Sequence, residues 1–379
     1  MDDSQISLLV LCDLSKGFDV VNHQMLLSKL RLYNIDTQWF EAYLAEHSQQ
    51  VQVRGADGQP IRSVSLPITT GVYQGTALGP ILFSIFCNDL ALHIPDATIV
   101  QYADDVQIFV KGRKQQIAEL ISSLERILTV LADWFCTYGM KVNPTKTQLM
   151  VYGTKNALRD FPPVQIRFGN SLISESLTVK NLGLTMDRFL SFEPHINQLV
   201  AKCTGVLISL SHTRHVLPSF TVAHVVNALV VSSIRYCISI YGTCGKTQLH
   251  RVQKLLNFCA RVISGRRKYD HIADVLRKLN WLRAEQLVSY HQLCLAKTAL
   301  DTGLPPDIAA MFTHVVTPYN TRQAGLLSHP RAKACSGKRR LGHCSPLYNS
   351  LPSDMKSLTR HAFKRKLKML LLREETLPP

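Results

Sequence analysis

Three aspartates are the residues whose type and spacing could do chemistry. Asp13 ends the apolar run QISLLVLCDLS, while Asp104 and Asp105 stand side by side in VQYADDVQIFV, between two runs of strand-forming residues. Adjacent aspartates are typical of a sharp turn, because Asp is a favoured turn residue. Paired carboxylates are also the usual ligands of hard divalent cations, which take oxygen donors. Taken alone, the pair favours a turn, so the surrounding elements must decide whether it also favours a metal.

The elements that would position these aspartates follow from hydrophobic patterns. Residues 5–15 form a dense apolar run that predicts a buried strand, with Asp13 at its carboxyl end. Residues 100–110 predict a strand, a turn that holds Asp104 and Asp105, and a second strand. If this hairpin pairs beside the first strand, Asp13 and Asp104 converge at one edge of the sheet. Two Mg²⁺ ions about 3.5–4 Å apart would fit between such carboxylates.

The rest of the first half predicts helices against this sheet. Apolar residues at helical spacing predict helices in residues 22–35 and 115–140, and residues 37–55 predict a helix that runs into a strand. A Gly-rich loop that becomes a helix is predicted over residues 71–94, and a strand over residues 146–153. This order of elements predicts an α+β fold, with helices packed on an antiparallel-rich sheet.

The second half is predicted to be mainly helical. Residues 179–187 predict a hairpin, and residues 196 to about 300 predict consecutive helices with basic surfaces. A Pro- and Gly-containing break follows over residues 300–308. The remaining residues are basic and predict irregular turns before a final helix near residues 355–373.

The charge distribution favours a polyanionic partner. The net charge of the 379 residues is +16 and the pI is about 9.5, which favours a partner such as nucleic acid. Residues 1–110 carry 5 Lys and Arg against 12 Asp and Glu, whereas residues 320–379 carry 13 against 3. The acidic N-terminal segment suits a metal site, and the basic C-terminal segment suits a phosphate-binding surface. Candidate basic patches are residues 264–271, 336–340 and 363–368.

Cysteine usage and hydropathy argue against a disulfide-rich secreted protein and against a membrane protein. Ten cysteines occur without a C-x-x-C pair, which predicts free thiols in a reducing compartment and no disulfide framework. Residues 220–242 are the most membrane-like stretch, but they include His224 and Arg235 and therefore predict a buried helix. We expect no membrane association. A zinc site is disfavoured, because the one cluster of His and Cys, over residues 329–344, has no standard ligand spacing.

Five motifs in a fixed order resemble one family. They are LCDLSKGFDVVNH (11–23), GVYQGTALGPILF (71–83), YADD (102–105), WFCTYGMKVNPTKTQLMVYG (134–153) and NLGLTMD (181–187). Together they resemble the reverse transcriptases of jockey-type non-LTR retrotransposons, whose pattern is D-L-S-K-A-F-D-x-V-x-H, then G-x-P-Q-G-S-x-L-G-P, then [FY]-A-D-D. SPLYNSLP and FKRKLK near the end are similar to the tail of such elements, so the resemblance covers nearly the whole chain.

The resemblance implies a role for each motif position. The implied metal ligands are Asp13, Asp104 and the Leu14 carbonyl, with Asp105 as a less directly bound third carboxylate. Two Mg²⁺ ions are implied, with Mn²⁺ as an alternative. The other implied roles are a gate that excludes a ribose 2′-hydroxyl (Phe18), a loop for dNTP and template (Gly71, Gln74, Gly75), a proton donor to pyrophosphate (Lys146) and a primer grip (Leu182, Gly183). His23 and Lys16 match the pattern without a defined role.

The chain departs from the family pattern at several positions. Tyr73 replaces the usual proline of the Gly-rich loop, and a tyrosine would not stiffen that turn as proline does. Gly17 replaces alanine, Asn22 stands where Asp is often found, and Thr76 replaces serine but keeps the hydroxyl. Only 12 residues precede Asp13, so the resemblance implies a fragment that lacks the fingers region and the upstream endonuclease.

These observations predict a polymerase in three parts. We expect a palm with the primer grip in residues 1–195, a helical thumb-like region in residues 196–300 and a basic C-terminal region in residues 301–379. The implied activity is RNA-directed DNA polymerase, with RNA template, DNA primer and dNTPs as partners, inside the cell as a ribonucleoprotein. The alternative is a truncated, inactive retrotransposon remnant or a nucleic-acid-binding protein.

Overall fold

Two units make up the chain, which divides after Leu177 into Ser4–Leu177 and Thr178–Pro379. The structure is a computed structural model, and it describes residues 5–45, 47–316, 326–328 and 344–373. Of the three predicted basic patches, residues 336–340 lie outside the described residues. So does most of the His and Cys cluster over residues 329–344.

In its described residues the first unit combines antiparallel strands with four α-helices. Its helices are α1 (His23–Leu32), α2 (Gln38–Leu44), α3 (Leu78–Cys87) and α4 (Ile117–Thr137). Its strands are β1 (Gln5–Ser15), β2 (Ser48–Gln49), β3 (Gln52–Arg54), β4 (Pro60–Arg62), β5 (Leu66–Pro67), β6 (Thr98–Tyr102), β7 (Asp105–Arg113), β8 (Lys141–Val142), β9 (Gln148–Tyr152), β10 (Gln165–Phe168) and β11 (Ser171–Ser174).

Strand β1 lies at the centre of the main sheet. The sheet order is β6, β7, β1, β8, with β9 also paired to β1, and every pairing is antiparallel. Alternate residues of β1 are buried on one face, since side chains alternate across a strand; they are Ile6, Leu8, Val10, Cys12 and Leu14. They share one apolar cluster with residues of α3 and α4, such as Phe83 and Leu128. The predicted strand over residues 5–15, the hairpin over 100–110 and the helix over 115–140 are confirmed.

The second unit is a hairpin followed by helices. The hairpin is β12 (Thr178–Asn181) with β13 (Leu184–Asp187). The helices are α5 (Glu193–Thr213), α6 (Ser219–Val226), α7 (Ser232–Arg235), α8 (Ile238–Tyr241), α9 (Lys246–Ser264), α10 (Ala273–Lys278), α11 (Ala284–Thr302), α12 (Pro306–Ala309), α13 (Ser345–Ser350), α14 (Ser353–Lys356) and α15 (Arg360–Arg373). The α+β content and the antiparallel sheets agree with the predicted fold class.

The apolar stretch 220–242 is helical but not one helix. A π-helical turn at Asn227–Val231 separates α6 from α7, and the chain breaks between α7 and α8. At that break Tyr236 is extended and Cys237 adopts a left-handed conformation with φ of 54°. The prediction of a single buried helix is therefore wrong, because two adjacent residues leave the helical region of backbone space. Within the described part of the chain, no helix is long and apolar enough to cross a membrane.

Candidate active site

The strand register places Asp13 directly opposite Asp105. In the antiparallel pairing of β1 with β7, Asp13↔Asp105 is the last pair. The Asn143 amide donates a 2.9 Å hydrogen bond to the Asp13 carbonyl, so the backbone groups of Asp13 face the edge of β1 away from β7. Asp13 and Asp105 therefore form a non-hydrogen-bonded pair, in which Cα atoms lie about 4.5 Å apart and side chains share a face. Two of the three predicted carboxylates are brought together in this way.

The third carboxylate sits in the turn of the β6–β7 hairpin. The pair Tyr102↔Asp105 closes the hairpin, so Ala103 and Asp104 are its two loop residues. Ala103 has a positive φ of 53°, as the first loop position of a type II′ turn requires and as glycine usually supplies. A left-handed conformation costs a residue with a Cβ about 1–2 kcal/mol. The sheet on both sides holds this strained turn, and with it Asp104, in place.

The loop after β1 passes close to Asp104. A Cβ added to Gly17 would lie 3.3 Å from Asp104 Cβ and 3.3 Å from Phe83 Cζ. Such contacts are tighter than side chains normally accept without a small shift. Glycine in place of the family's alanine therefore lets this loop approach the turn that carries Asp104.

Lys146 is positioned by a turn that docks on Asp13. Asn143 organises the turn, since its carbonyl accepts the amides of Lys146 and Thr147 and its side chain accepts the amide of Thr145. Lys146 Nζ then lies 3.0 Å from Asp13 Oδ2, while 65% of the lysine side chain is exposed. The ammonium group is therefore held at the carboxylates but can move toward solvent. The structure places this predicted proton donor next to the predicted metal ligands.

Burial and like charge act together on Asp105. Burial raises the pKa of the Asp105 carboxyl above its usual range, and the neighbouring Asp104 and Asp13 carboxylates raise it further. Like charges directly opposite each other in a sheet are destabilising. The site thus concentrates negative charge that a cation would neutralise.

The donor atoms at the end of β1 fit a divalent cation. Asp13 Oδ2 is buried and accepts no hydrogen bond, although Lys146 lies within ion-pair distance of it. The backbone groups of Leu14 alternate with those of Asp13 and so face the β7 side, where the strand pairing has already ended. The Leu14 carbonyl is therefore not used by the sheet. Carboxylate and carbonyl oxygens are the ligands that Mg²⁺ prefers.

These donors do not form a complete cage. Among the described residues, no group of three or more His, Cys, Asp or Glu side chains could hold a metal on its own. Mg²⁺ is usually bound by one or two carboxylates together with waters and substrate phosphates rather than by an all-protein cage. The arrangement therefore fits a metal that binds together with a phosphate-bearing substrate.

Phe18 and the Gly-rich loop are joined by backbone hydrogen bonds. The Val72 amide donates to the Phe18 carbonyl over 2.8 Å, and the Gly71 amide donates to the Val21 carbonyl over 2.8 Å. The Phe18 ring is half-buried and stacks on Phe83 with centroids 4.5 Å apart. The predicted gate residue and the predicted nucleotide loop thus belong to one connected segment of the first unit.

Two residues without a predicted role tighten this connection. His23 Nε2 donates a buried 2.8 Å hydrogen bond to the Gly71 carbonyl. Asp19 Oδ1 accepts a 2.8 Å hydrogen bond from the Gln74 side-chain amide. Both residues lie in the motif LCDLSKGFDVVNH, but the motif alone does not reveal that they reach a loop about 50 residues away. The available sequence signal was a histidine near the start of a predicted helix.

Tyr73, which replaces the family's proline, is held by its neighbours. Its ring lies 5.3 Å from the Tyr43 ring and 4.4 Å from the His47 ring, between ring centroids. Its carbonyl accepts a 2.8 Å hydrogen bond from the Thr76 hydroxyl, which itself accepts the Gly79 amide. Aromatic packing and the threonine hydroxyl therefore restrain the loop where proline would have stiffened it.

Leu182 and Gly183 form the turn of the β12–β13 hairpin in the second unit. Asn181↔Leu184 closes this hairpin, and φ is positive at both loop residues, 45° at Leu182 and 82° at Gly183. The Tyr236 hydroxyl donates a hydrogen bond to the Leu182 carbonyl. The structure thus places the two predicted primer-grip residues in a different unit from the carboxylates, on a turn that is tied to α7.

One family model matches the first unit and most of the β12–β13 hairpin. Residues 2–186 match the family model of the reverse transcriptase (RNA-dependent DNA polymerase). These residues belong to the reverse transcriptase family. The reverse transcriptase match covers four of the five predicted motifs and most of the fifth. It includes the three carboxylates, the Gly-rich loop and the predicted primer-grip residues.

Similar proteins extend the likeness beyond the reverse transcriptase match. The probable RNA-directed DNA polymerase from transposon BS of Drosophila melanogaster is 28% identical over 309 residues, which are 76% of this chain and 32% of that protein. The RNA-directed DNA polymerase from mobile element jockey of the same species is 26% identical, over 74% of this chain and 31% of that protein. The predicted resemblance to jockey-type elements is confirmed. The chain spans about a third of the length of these relatives.

Solved structures give a weaker likeness. The structure of apo telomerase from Candida tropicalis aligns over 79% of this chain and 51% of the telomerase chain, at 13% identity and a TM-score of 0.35. A likeness at this level does not define the arrangement of the two units.

Proposed function

We propose that this chain is the catalytic part of an RNA-directed DNA polymerase of the non-LTR retrotransposon type. The observation that carries the proposal is the register of β1 on β7, which sets Asp13 opposite Asp105 with Asp104 in the adjoining turn. Its substrates are dNTPs, a DNA primer and an RNA template. Residues 1–195 serve as palm and primer grip, residues 196–300 as thumb and residues 301–379 as a basic C-terminal region.

The carboxylates define where the reaction takes place. Asp13, Asp104 and the Leu14 carbonyl would hold two Mg²⁺ ions, with Asp105 beside them. Mg²⁺ held there would lower the pKa of the attacking primer 3′-hydroxyl and would neutralise charge on the leaving pyrophosphate. The primer 3′-hydroxyl gives its proton to solvent water, its oxygen forms a bond to the α-phosphorus of the dNTP, and the bond from that phosphorus to the bridging oxygen breaks.

Lys146 supplies a proton to the leaving group. Its ammonium group rests 3.0 Å from Asp13 Oδ2 and most of the side chain is exposed, so it can turn to an incoming triphosphate. Proton transfer from a positioned side chain typically contributes about 10²–10⁴-fold to a rate. The pyrophosphate oxygen that leaves the α-phosphorus accepts this proton.

Phe18 and the loop that begins at Gly71 select and orient the nucleotide. The half-buried Phe18 ring stacks on Phe83, which favours one position of the ring, and a ribose 2′-hydroxyl would collide with it there. Gly71 and Gly75 have positive φ values of 93° and 81°, and glycine there lets backbone amides approach the substrate. The Gln74 side chain, oriented by Asp19, contacts the nucleotide or the template.

Template and primer are held mainly through phosphates. Of the two described basic patches, the loop at residues 264–271 exposes Arg267 and Lys268, whereas Arg266 is paired with Asp274. The patch at residues 363–368 lies on α15, where Phe363 and Leu367 are buried and the basic residues are largely exposed. Binding through such residues is independent of sequence and weakens as salt rises.

Primer extension tests the proposed function. Purified protein receives an RNA template with an annealed DNA primer, dNTPs and Mg²⁺, and Asp104→Asn serves as the matched variant. We expect extension by the wild type and a loss of at least about 10³-fold in Asp104→Asn, because a metal-binding carboxylate is removed. Asp57→Asn, in the exposed β3–β4 turn, should extend normally.

The same experiment distinguishes the polymerase from the alternative, an inactive or nucleic-acid-binding remnant. Folded wild-type protein that binds an RNA–DNA hybrid but extends no primer, with either Mg²⁺ or Mn²⁺, would overturn the proposal. The carboxylates would then be inherited rather than used, and the chain would be a nucleic-acid-binding remnant of an element.

A further inference from the structure

A second site is formed within the helical unit by a cavity of about 950 Å³. Its lining comes from α9, the loop after α9, α10 and the first turn of α11, with Leu372 of α15. None of the residues assigned to the active site contributes to it. The volume is at the upper end of the range of small-molecule pockets, so the cavity can hold more than one nucleotide-sized group.

Cations outnumber carboxylates in the lining of this cavity. Its charged lining residues are Lys246, Arg261, Arg277, Arg283, Asp270 and Glu285. The Asp270 carboxylate is partly engaged, since it accepts the Arg267 amide over 2.7 Å. Among the described residues, no carboxylate pairs with Lys246, Arg277 or Arg283. These positive charges are therefore available to an anionic ligand.

The ends of two long helices add to the positive potential. Lys246 and Thr247 open the 19-residue helix α9, and Ala284 and Glu285 open the 19-residue helix α11; all four line the cavity. Helix N-termini carry a partial positive charge and favour anions such as phosphate. Together with the cations of the walls they make this cavity suited to more than one phosphate.

Two aromatic side chains line the same cavity. Trp281 is half-buried and packs on the apolar residues under α10. Tyr269 is 88% exposed, and Lys268 Nζ lies 5.5 Å from its ring centroid. Because the Tyr269 ring is exposed, it does not stabilise the folded chain by burial. Single-stranded nucleic-acid sites typically combine basic residues with aromatic rings on which unpaired bases stack.

The walls of the cavity are fixed before any ligand binds. Arg266 forms a bidentate pair with Asp274, with Nη1 2.6 Å from Oδ1, and this pair closes the loop between α9 and α10. Gln253 on α9 accepts the Ala284 amide over 2.7 Å and so ties α9 to the start of α11. A ligand would therefore meet a formed site, which lowers the entropy cost of binding.

We propose that this cavity binds a single-stranded stretch of nucleic acid, with phosphates on Lys246, Arg277 and Arg283 and bases against Tyr269 and Trp281. A duplex fits the site poorly, because its bases are stacked on one another and cannot reach the two rings. This proposal depends on the proposed function in one respect only, that the protein binds nucleic acid. It adds a second contact for the unpaired part of a template, and its test requires no polymerase activity.

A matched pair of neighbouring lysine and arginine variants tests the site. Arg277 and Lys278 are adjacent, exposed residues at the end of α10, but only Arg277 lines the cavity. The full chain is titrated against a labelled RNA of about 12 nucleotides by fluorescence anisotropy, at several salt concentrations. We expect Arg277→Glu to weaken binding about tenfold and to lower the salt slope by about one. Lys278→Glu should change the affinity less than about twofold.

A second pair tests base stacking. Tyr269→Ala should weaken single-strand binding about fivefold or more, while Phe220→Ala, which removes another exposed ring, on α6 of the same unit, should not. A fully paired RNA–DNA hybrid should bind the Tyr269→Ala protein as it binds the wild type. Equal losses within either matched pair, or a wild type that binds no single strand, would overturn the proposal. Retained single-strand binding without primer extension would leave this site standing and reject only the polymerase.

Discussion

His23 and Gly71 are joined by a buried hydrogen bond of 2.8 Å, in which His23 Nε2 donates to the Gly71 carbonyl. The bond fixes the first residue of α1 to the Gly-rich loop 48 residues later. Because the Val72 amide also bonds the Phe18 carbonyl, the loop and the gate residue are fixed relative to each other. We therefore infer that His23 positions the loop rather than taking part in the chemistry.

Replacing His23 should harm nucleotide binding more than turnover. His23→Ala leaves the Gly71 carbonyl without its partner, which costs about 1–3 kcal/mol of stability for a buried acceptor. We expect a KM for dNTP raised severalfold, a smaller fall in kcat and weaker discrimination against ribonucleotides. His23→Gln, whose amide can donate to the same carbonyl, should recover most of the loss. Steady-state kinetics with dNTP and NTP, and urea unfolding, measure these effects.

A matched control for His23 is available on the same unit. His93 also bonds a backbone carbonyl, that of Asp89, over 3.0 Å, but it is exposed. His93→Ala should change neither KM nor discrimination. If His23→Ala lowered stability while the kinetic constants stayed unchanged, the histidine would be merely structural.

Asp105 should contribute less to the stability of the folded protein at neutral pH than at acidic pH. Because its pKa is raised in the folded state, the folded chain binds that proton more tightly than the unfolded chain does. The stabilisation is complete below the unfolded pKa of about 3.9 and is lost as pH rises through the higher folded pKa. Asp105→Asn should therefore raise the free energy of unfolding at pH 7 by about 0.2–1 kcal/mol.

The pH dependence separates this effect from a general one. Urea unfolding at about pH 7 and about pH 4 should show a clearly larger gain of Asp105→Asn at the higher value. Asp57→Asn, at an exposed turn, should show no such difference. A gain of equal size at both pH values would mean that the carboxylate charge is not its cause.

Lys29 should be essential for the stability of the first unit. Its ammonium group donates to Asp89 Oδ1 and the Phe86 carbonyl, each over 2.5 Å, and lies 3.8 Å from the Tyr138 ring centroid. Lys29→Met keeps the apolar stem but removes the cation from Asp89, whose Oδ2 keeps only a 3.3 Å hydrogen bond from the Tyr138 hydroxyl. Breaking a largely buried ion pair in this way costs about 3–5 kcal/mol. We expect a lower midpoint in urea unfolding, and Lys29→Met with Asp89→Leu should recover part of the loss.

The reason for the recovery is that the double variant removes both charges. An unpaired carboxylate is costly, whereas an apolar pair of similar volume is often neutral. Should the double variant be as unstable as the sum of both single variants, packing against Tyr138 rather than charge would explain the role of Lys29.

The sequence predicts what local patterns determine. An apolar run predicts β1, and strand-forming residues on both sides of the aspartate pair predict the hairpin around Asp104. The sequence predicts that Asp13 and Asp104 converge, but it does not give the register, which sets Asp105 directly opposite Asp13. The bond between His23 and Gly71 and the aromatic surroundings of Lys29 depend on segments about 50 to 100 residues apart, which no local pattern specifies. The break at Tyr236 and Cys237 interrupts an apolar stretch whose composition favours a continuous helix.

The turn at Leu182 should trade stability for function. Both loop residues of the β12–β13 hairpin have positive φ, the conformation of a type I′ turn, in which Asn-Gly is the preferred pair. Leucine there is strained, and a strained residue that persists in a native turn motivates a functional hypothesis. Leu182→Asn should raise the free energy of unfolding by up to about 1 kcal/mol and weaken primer extension, because the 39% exposed side chain no longer presents an apolar contact to the primer end.

Urea unfolding and extension from a DNA primer measure the two effects. Leu172→Asn, at an exposed strand position, controls for the loss of a surface leucine. If Leu182→Asn were more stable and fully active, the primer grip would have to be sought elsewhere.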